Sequence, residues 1–345
     1  MAYENTAAEF RPELQVKVEE GMAMDGKFIA EQIFPIFPVQ TRKGYYKKIK
    51  RGQGQLLTSP GVAGVNDPLK RAPGTAYREI TRTSEQASWL CVDRGLKEVI
   101  DDVNKQEESR FFDLESSTAV WLMRNMRIAR EQRAAAYTFD PSIWGSTDSS
   151  TVGGGAASLG TISSPGGGAF IEANLSVFDF PRALTAITAL IEKRGEDANT
   201  LVISREIKDL VLRSDKMRNY FLGTLGGTAQ ITLEMVQEKF GFSQILVGRA
   251  SMDTVKTGKN ASDSTLSWLW PNTYAWVGNV AMGAPEMGGA GRTFVLEELS
   301  SGGLFTTETY RDEDKRSDIL RVRMDEEMNT VNENSGTLIQ LNPII

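Results

Sequence analysis

The spacing of apolar side chains predicts a long amphipathic helix in the first half of the chain. Helical periodicity begins near Leu96, and residues 105–137 contain neither glycine nor proline. Apolar or small residues recur there at steps of three or four, as expected for one buried stripe on a helix. The stripe consists of Phe111, Leu114, Thr118, Leu122, Met126 and Ala129.

Charged side chains divide this predicted helix into an acidic first half and a basic second half. Acids near the start of a helix and bases near its end complement the helix dipole. Four arginines follow one another at steps of three residues, and we interpret them as a solvated face, with a partner-binding face as the alternative. They are Arg124, Arg127, Arg130 and Arg133.

The chain before this helix is predicted to form an arm and an extended loop. Within residues 1–39, Pro35 and Pro38 favour an extended exit, because proline lacks an amide donor and biases the residue before it away from helix. Residues 40–92 contain two segments without helical spacing, joined by a tip rich in Gly and Pro. This pattern predicts an oversized hairpin. The hairpin has too few apolar residues for a core of its own, so we expect it to lie on another surface or stay mobile.

Roughly residues 170–300 alternate between helix and buried strand, which is typical of an α/β domain. Helix starts are predicted at the capping residues Asp179, Ser204 and Thr232, and helix ends at Gly195 and Gly241. Two short apolar runs predict buried strands, Leu201–Ile203 and Gln244–Val247.

The segments on either side of this domain have different patterns. Residues 145–168 are rich in Gly, Ser and Thr, which predicts a flexible loop or a domain boundary. At the C-terminus the apolar period falls to two, in residues 304–310 and 319–324. These two segments flank a polar turn, which predicts a β-hairpin with one solvated face.

The composition excludes several classes of chemistry. The 345 residues include 39 basic and 45 acidic side chains, for a formal net charge of −6, with no histidine and one cysteine. Without histidine, the chain cannot supply a His-ligated metal, a Ser-His-Asp triad or a Cys-His pair. Cys91 has no partner for an internal disulfide, which favours synthesis in a reducing compartment, and its apolar neighbours predict a buried structural thiol. The first ten residues do not resemble a signal peptide, and no run of 18 apolar residues predicts a membrane span.

Candidate binding loops lack the residues that their chemistry needs. Residues 256–260 come nearest to a phosphate-binding loop, but Asp253 replaces its first glycine and Asn260 replaces its magnesium-binding hydroxyl. Two acidic clusters, Asp312–Asp314 and Asp325–Glu327, lack the spacing of a calcium loop, and we interpret them as solvated turns. We therefore predict no catalytic residue, no metal site, no cofactor and no enzymatic activity.

One basic run stands out on the predicted hairpin. Six cationic side chains and two tyrosines lie within residues 42–51, which contain no acid. Such a run suits either a nucleic-acid backbone or an acidic patch on another protein. Because the chain is acidic overall, we favour the contact with a protein. The six residues are Arg42, Lys43, Lys47, Lys48, Lys50 and Arg51.

The order of these elements resembles the major capsid proteins of tailed bacteriophages, the Hong-Kong-97-type α+β fold that encapsulin shells also use. The order is arm, two-stranded loop, long helix, Gly-rich loop, α/β domain and closing β-hairpin. Three stretches are similar to segments of that family: 70–75 (KRAPGT) on the loop, 199–207 (NTLVISREI) at a strand-to-helix step, and 240–250 (FGFSQILVGRA) at a helix end and strand.

This resemblance implies a division of the chain into four parts. Residues 1–39 would be the N-terminal arm, 40–92 the extended loop, 93–140 with 304–345 the peripheral domain with its spine helix, and 141–303 the axial domain. The protein would assemble with copies of itself, as hexamers and pentamers, into an icosahedral phage head around double-stranded DNA. The six basic residues of the loop would lie in contacts between subunits.

The same resemblance implies further partners and a location. About 40 residues precede the loop, so a separate scaffolding protein is expected, together with a portal protein and, in some relatives, a decoration protein. The subunit would be made in the host cytoplasm and would end in the virion, with no membrane contact. An encapsulin-like compartment shell is the first alternative, and a nucleic-acid-binding module that uses residues 42–51 is the second.

Overall fold

The computed structural model describes residues 9–10, 14, 27–48, 73–76, 85–108, 113–144, 161–163, 170–176, 178–222, 231–254, 265–297 and 304–341. The strands are β1 (Glu9–Phe10), β2 (Ile36–Val39), β3 (Lys43–Lys48), β4 (Glu85–Leu90), β5 (Val92–Asp101), β6 (Thr161–Ser163), β7 (Thr200–Ser204), β8 (Gln244–Gly248), β9 (Ser251–Asp253), β10 (Leu266–Trp268), β11 (Tyr274–Gly278), β12 (Gly291–Leu296), β13 (Thr306–Asp312), β14 (Ser317–Thr330) and β15 (Gly336–Gln340). The helices are α1 (Ala30–Ile33), α2 (Asp102–Glu108), α3 (Leu114–Thr138), α4 (Pro141–Trp144), α5 (Phe180–Lys193), α6 (Arg205–Arg213), α7 (Asp215–Leu222) and α8 (Leu233–Phe240).

Helix boundaries follow the capping residues of the sequence. The side chains of Asp179, Ser204 and Thr232 accept hydrogen bonds from backbone amides in the first turns of α5, α6 and α8. Gly241 ends α8 in the left-handed region with φ 72°, and Gly195 follows α5 with φ 81°. The predicted starts and ends of these helices are therefore confirmed.

A large sheet is organised around the 14-residue strand β14. Both β13 and β5 pair antiparallel with residues 317–323 of β14, so they lie on opposite sides of it. Strand β12 pairs with residues 326–330, β2 runs parallel to β12, and β1 pairs with β13. The first half of α3 covers one face of this sheet, where Leu122, Met123 and Met126 pack against Leu320 and Val322.

A second sheet has the strand order β6-β15-β11-β7-β8. All residues of β7 and β11 are buried. One face packs on α5 and α6 through an apolar core that includes Leu184, Ile187 and Ile203. The other face packs on the C-terminal half of α3 and on the arm, through residues such as Trp276 and Phe34.

Two predictions about the first half of the chain are wrong. Helical periodicity was expected from Leu96, but residues 92–101 form β5, because ten consecutive residues pair with β14. The long helix was expected to run unbroken from Lys105; residues 105–108 are helical as the end of α2, but α3 begins only at Leu114, where Asp113 adopts an extended conformation and accepts a hydrogen bond from the Ser116 amide. The apolar stripe is confirmed for Thr118, Leu122 and Met126, which are buried, whereas Ala129 is exposed.

The sheets do not follow the expected boundary between residues 141–303 and 304–345, because each sheet contains a strand from the other side of it. Strand β12 falls within 141–303, yet it pairs with β14 in the first sheet. Strand β15 falls within 304–345, yet it pairs with β11 in the second. The C-terminal hairpin is confirmed as β13 and β14, and the chain then crosses from one sheet to the other.

Candidate interaction surface: the hairpin and its supports

The base of the extended loop is a two-stranded hairpin with two different faces. Lys43 pairs with Leu90 and Lys48 with Glu85, so the strands are in register over six residues. Residues that face each other across an antiparallel pair project to the same side of it. One side, the outer face, is exposed: Lys43, Tyr45, Lys47, Gln86, Ser88 and Leu90. The tip, apart from residues 73–76, lies outside the described residues.

The inner face rests on one aromatic side chain of the large sheet. The Trp89 ring stacks on Phe294 with a centroid separation of 5.2 Å, and the Tyr46 ring lies 5.3 Å from the same ring. A Cβ atom on Gly44 would lie 2.3 Å from the Trp89 indole, so only glycine allows this approach. The Tyr46 hydroxyl donates to the Thr330 carbonyl at 3.1 Å, and burial raises the pKa of Tyr46 to about 12.

Cys91 lies at the junction between the hairpin and β5. Its amide donates to the Arg42 carbonyl at 2.8 Å, and its Sγ lies 3.7 Å from the Phe294 carbonyl oxygen. The side chain is buried, and this burial raises the pKa of Cys91 to about 11. The prediction of a buried structural thiol is confirmed.

The basic run separates into anchored and exposed side chains. Arg42 binds the Asp325 carboxylate at 2.9 Å, and Lys48 lies 3.6 Å from Glu333. Lys43 and Lys47 are on the exposed outer face, on either side of Tyr45, which is 71% exposed. Lys50 and Arg51 lie outside the described residues. Arg42 and Lys48 therefore attach the hairpin to its own chain, and Lys43 and Lys47 remain available to another molecule.

Two acidic residues that the sequence placed in a solvated turn are buried in β14. Asp325 and Glu326 are 2% and 0% exposed. Glu326 accepts from Arg130 at 2.8 Å and also binds Arg133. The interpretation of Asp325–Glu327 as a turn is therefore wrong. The sequence carries a signal for this burial, because every second residue of β14 faces the core. Glu326 falls in phase with the core residues Leu320, Val322, Met324 and Met328.

The arginines of α3 bind the arm and the sheet instead of forming a solvated face. Arg130 joins Glu326 to Glu31 of the arm, and the Arg127 guanidinium lies 4.6 Å from the Phe28 ring centroid. Arg124, in contrast, is exposed. The buried carboxylates of β14 explain the burial of Arg130, because a charge that is removed from the surface needs an opposite charge beside it.

Glu131 joins α3 to two other elements. Its carboxylate accepts from the amides of Ile29 and Ala30 at 3.0 Å and from the Trp270 indole at 2.8 Å. Burial raises the pKa of Glu131, whereas the three donors oppose that rise. One side chain of α3 thus holds the start of α1 and the loop before β11.

A second charged surface lies at the far end of β5. Arg311 binds Asp102 at 2.6 Å and Asp318 at 3.1 Å, and its hydrogen bond lowers the pKa of Asp102. Lys105 lies between Glu115 at 2.5 Å and Asp318 at 2.7 Å. These ion pairs attach α2 and the start of α3 to the turn between β13 and β14. We call residues 101–107 and 113–115 with 311–318 the acidic corner.

Two absences apply to the described part of the chain. No three Cys, Asp or Glu side chains are grouped closely enough there to hold a metal ion. None of the described helices is long and apolar enough to cross a membrane.

Comparisons with known proteins find likeness in structure and none in sequence families. No protein-family model and no curated protein sequence matches the chain. A phage-related protein from Bordetella bronchiseptica is similar over 97% of each chain, with a TM-score of 0.64 and 18% identity. A chain of the cyanophage P-SCSP1u capsid gives a TM-score of 0.53 at 13% identity, over 91% of this chain and 88% of that one. A chain of Microbacterium phage Oxtober96 gives 0.54 at 9% identity, over 99% and 96%. The chain therefore has a mixed helix-and-strand fold that these phage structures share.

Proposed function

We propose that this chain is the major capsid protein of a tailed bacteriophage, with the Hong-Kong-97-type fold, and that it assembles into an icosahedral head around double-stranded DNA. The observation that carries the proposal is the likeness to a phage capsid chain over nearly the whole length of both chains. On this proposal the protein works by binding copies of itself and resides in the virion, and no reaction is assigned to it.

The hairpin supports a role in assembly. Its inner face uses a small apolar cluster around Phe294, and the side chains of its outer face are exposed. A long two-stranded element with one open face gains burial when it lies on another molecule. We assign Lys43 and Lys47 to inter-subunit contact, and Lys50 and Arg51 to the same role by continuity of the run. Arg42 and Lys48 position the base of the loop.

The proposed parts of the subunit follow the sheets. Residues 1–39 form the arm and 40–92 the extended loop. The peripheral domain comprises 93–140 with 304–335 and includes β12, and the axial domain comprises the rest of 141–303 with β15. Hexamers and pentamers of this subunit, a scaffolding protein, a portal protein, a decoration protein and DNA bound without sequence specificity are the proposed partners.

Electron microscopy tests this function directly. The full chain is expressed alone and with a scaffolding protein, and the particles are imaged by negative stain. Closed isometric shells are expected. A product of small soluble particles under both conditions would contradict the proposal. Nuclease-protected DNA in shells recovered from infected cells would separate a phage head from a shell that packages protein.

A further inference from the structure

The chain passes between the two sheets at two places that lie against each other. One passage runs from the end of β11 to the start of β12, and the other from the end of β14 to the start of β15. The Asn279 amide donates to the Ser335 carbonyl at 2.7 Å, and the Ala290 amide donates to the Asn279 carbonyl at 2.7 Å. The Val331 amide in turn donates to the Ala290 carbonyl at 2.9 Å. The two passages therefore form one hydrogen-bonded junction between the sheets.

One buried carboxylate binds both passages. Glu196 is 2% exposed and follows α5, which belongs to the helical layer of the sheet that contains β7 and β11. Its Oε2 accepts from Asn279 Nδ2 at 2.9 Å, and its Oε1 accepts from Asn332 Nδ2 at 2.9 Å. Asn279 follows β11 and Asn332 follows β14, and both are buried. A single side chain thus connects α5 to both passages.

The two amide groups are held in one orientation by their other hydrogen bonds. Asn279 Oδ1 accepts from Asn199 Nδ2 at 3.1 Å, and Asn332 Oδ1 accepts from the Asn334 backbone amide at 3.1 Å. An amide side chain has one accepting oxygen and one donating nitrogen, so both nitrogens must point to Glu196. Glu196 must therefore offer an acceptor at each end of its head group, which a carboxylate does and the isosteric glutamine does not.

These hydrogen bonds favour one angle between the two sheets. Because the three side chains are buried, a rotation of one sheet against the other leaves an amide donor without its acceptor and away from water. Apolar contacts in the core beside the junction, such as those of Met328 and Trp276, are not directional and tolerate a small displacement. The polar junction, rather than the apolar core, therefore selects the angle.

We infer that Glu196, Asn279 and Asn332 form a latch that holds the two sheets as one rigid body and so sets the curvature of the shell. The inference rests on the proposed function. Copies that meet head to tail close into a ring or shell only when the rotation between them fits. A change in the angle between the sheets changes that rotation, so a fixed angle gives shells of one size. Glu196 is a positioning residue in this device, because it acts through the elements that it binds.

An exchange of hydrogen-bond polarity tests the latch. Glu196→Gln brings an amide nitrogen against one of the two asparagine nitrogens, so it breaks one hydrogen bond at nearly constant volume. Asn332→Asp breaks the bond from the other side, because it places a second carboxylate against Glu196. In the double variant Glu196→Gln, Asn332→Asp, the new amide donates to the new carboxylate, and the net charge of the pair equals that of the wild type.

Two measurements are made on the full chain. Hydrogen exchange with mass spectrometry follows the peptides that contain the amides of Asn279 and Val331, and negative-stain microscopy gives the shell diameters. Each single variant should exchange at these amides about tenfold faster than the wild type and should form shells of several diameters. The double variant should exchange within about threefold of the wild-type rate and should form shells of one diameter. Mixed diameters from the double variant would contradict the latch, even where a single variant fails to fold.

Glu206→Gln is the matched control. Glu206 of α6 accepts from Asn272 Nδ2 at 2.8 Å, so it loses the same kind of bond, but this bond lies within the layers of one sheet. The control should assemble and exchange at the junction like the wild type. Shells of one diameter from both single variants, despite faster exchange, would show that the latch does not set the curvature, whereas the capsid function stands. A wild-type chain that forms no shell would contradict the capsid function and the curvature together, while the exchange rates would still support or contradict the latch itself.

Discussion

The two sheets of this molecule are stabilised in different ways. The sheet that contains β7 and β11 lies between apolar layers, and both strands are buried along their whole length. The sheet around β14 has an apolar face towards α3, but its strands also carry buried carboxylates that bind arginines of α3 and of the hairpin base. The sheet that contains β7 and β11 is covered by its own chain on both faces, and the sheet around β14 supports the hairpin whose outer face is exposed.

This difference indicates where the chain meets other molecules. Apolar packing is non-directional and close-packed, and it holds the sheet that contains β7 and β11 through layers of the same chain. Hydrogen bonds to a charged group are directional, and each holds one element in a defined orientation. Arg42, Arg130 and Glu131 therefore orient the hairpin, the arm and α3 relative to one another, as a surface for contact requires.

The largest effect is expected from breaking the buried ion pair beneath β14. Glu326→Leu leaves the Arg130 guanidinium, 3% exposed, without its main partner. The free energy of unfolding should fall by about 3–5 kcal/mol, measured by urea denaturation at neutral pH. The double variant Arg130→Met, Glu326→Leu removes both charges and should recover most of the loss. A double variant as unstable as the single one would show that shape, not charge, governs this site.

A comparable loss of stability is expected from a cavity in the core between α5 and the sheet that contains β7 and β11. Leu184 of α5 is 0% exposed within the core. Leu184→Ala should cost about 2–5 kcal/mol of unfolding free energy. Because no charge is involved, this loss should not change between about 50 mM and about 500 mM salt, a range over which ionic screening becomes much stronger. Glu192→Ala, at an exposed site of the same helix, should stay within about 0.5 kcal/mol of the wild type.

A smaller and more local effect is expected at the hairpin. Gly44→Ala places a methyl group against the Trp89 indole, so the hairpin must lift from Phe294. The overpacking should cost about 1–3 kcal/mol, and the hairpin should become the first site of limited proteolysis. Ser88→Ala, on the outer face of the same hairpin, is the matched control and should be cut like the wild type. Equal cleavage of the two variants would mean that the Trp89 contact does not hold the hairpin down.

Much of the sheet that contains β7 and β11, together with the helices around it, could be predicted from sequence because its signals are local. The side chains of Asp179, Ser204 and Thr232 each accept a hydrogen bond from the amide three residues later, and Gly241 ends α8 with a left-handed φ. The hairpin base was also predictable, since β3 and β4 carry strand residues on both sides of a polar tip.

The charge network could not be predicted in the same way because its partners are distant in sequence. Arg42 meets Asp325 across 283 residues, and Arg130 meets Glu326 across 196. Local composition places such residues on solvated faces, and only the packing of the hairpin base and of α3 against β14 brings them together. The pairing of β5 with β14 overrides the helical spacing around Leu96 in the same way.

The smallest and most specific effect is expected in the alkylation rate of Cys91, because this rate reports whether the hairpin base is closed and the measurement needs no change in the free energy of unfolding at neutral pH. Its pKa of about 11 lies above the ordinary value of 9.0, so at pH 8 the thiolate population should be about a hundredfold lower than in an ordinary cysteine. The thiol stabilises the fold fully below pH 9, and this contribution is lost as the pH rises through 11. Alkylation by iodoacetamide at pH 8 should therefore be at least about a hundredfold slower in the native protein than in urea.

Gly44→Ala should accelerate the native reaction, because a lifted hairpin exposes the thiol beside Phe294, whereas Ser88→Ala should leave the rate unchanged. Rapid alkylation of the wild type would show that the hairpin base opens freely in the unassembled subunit.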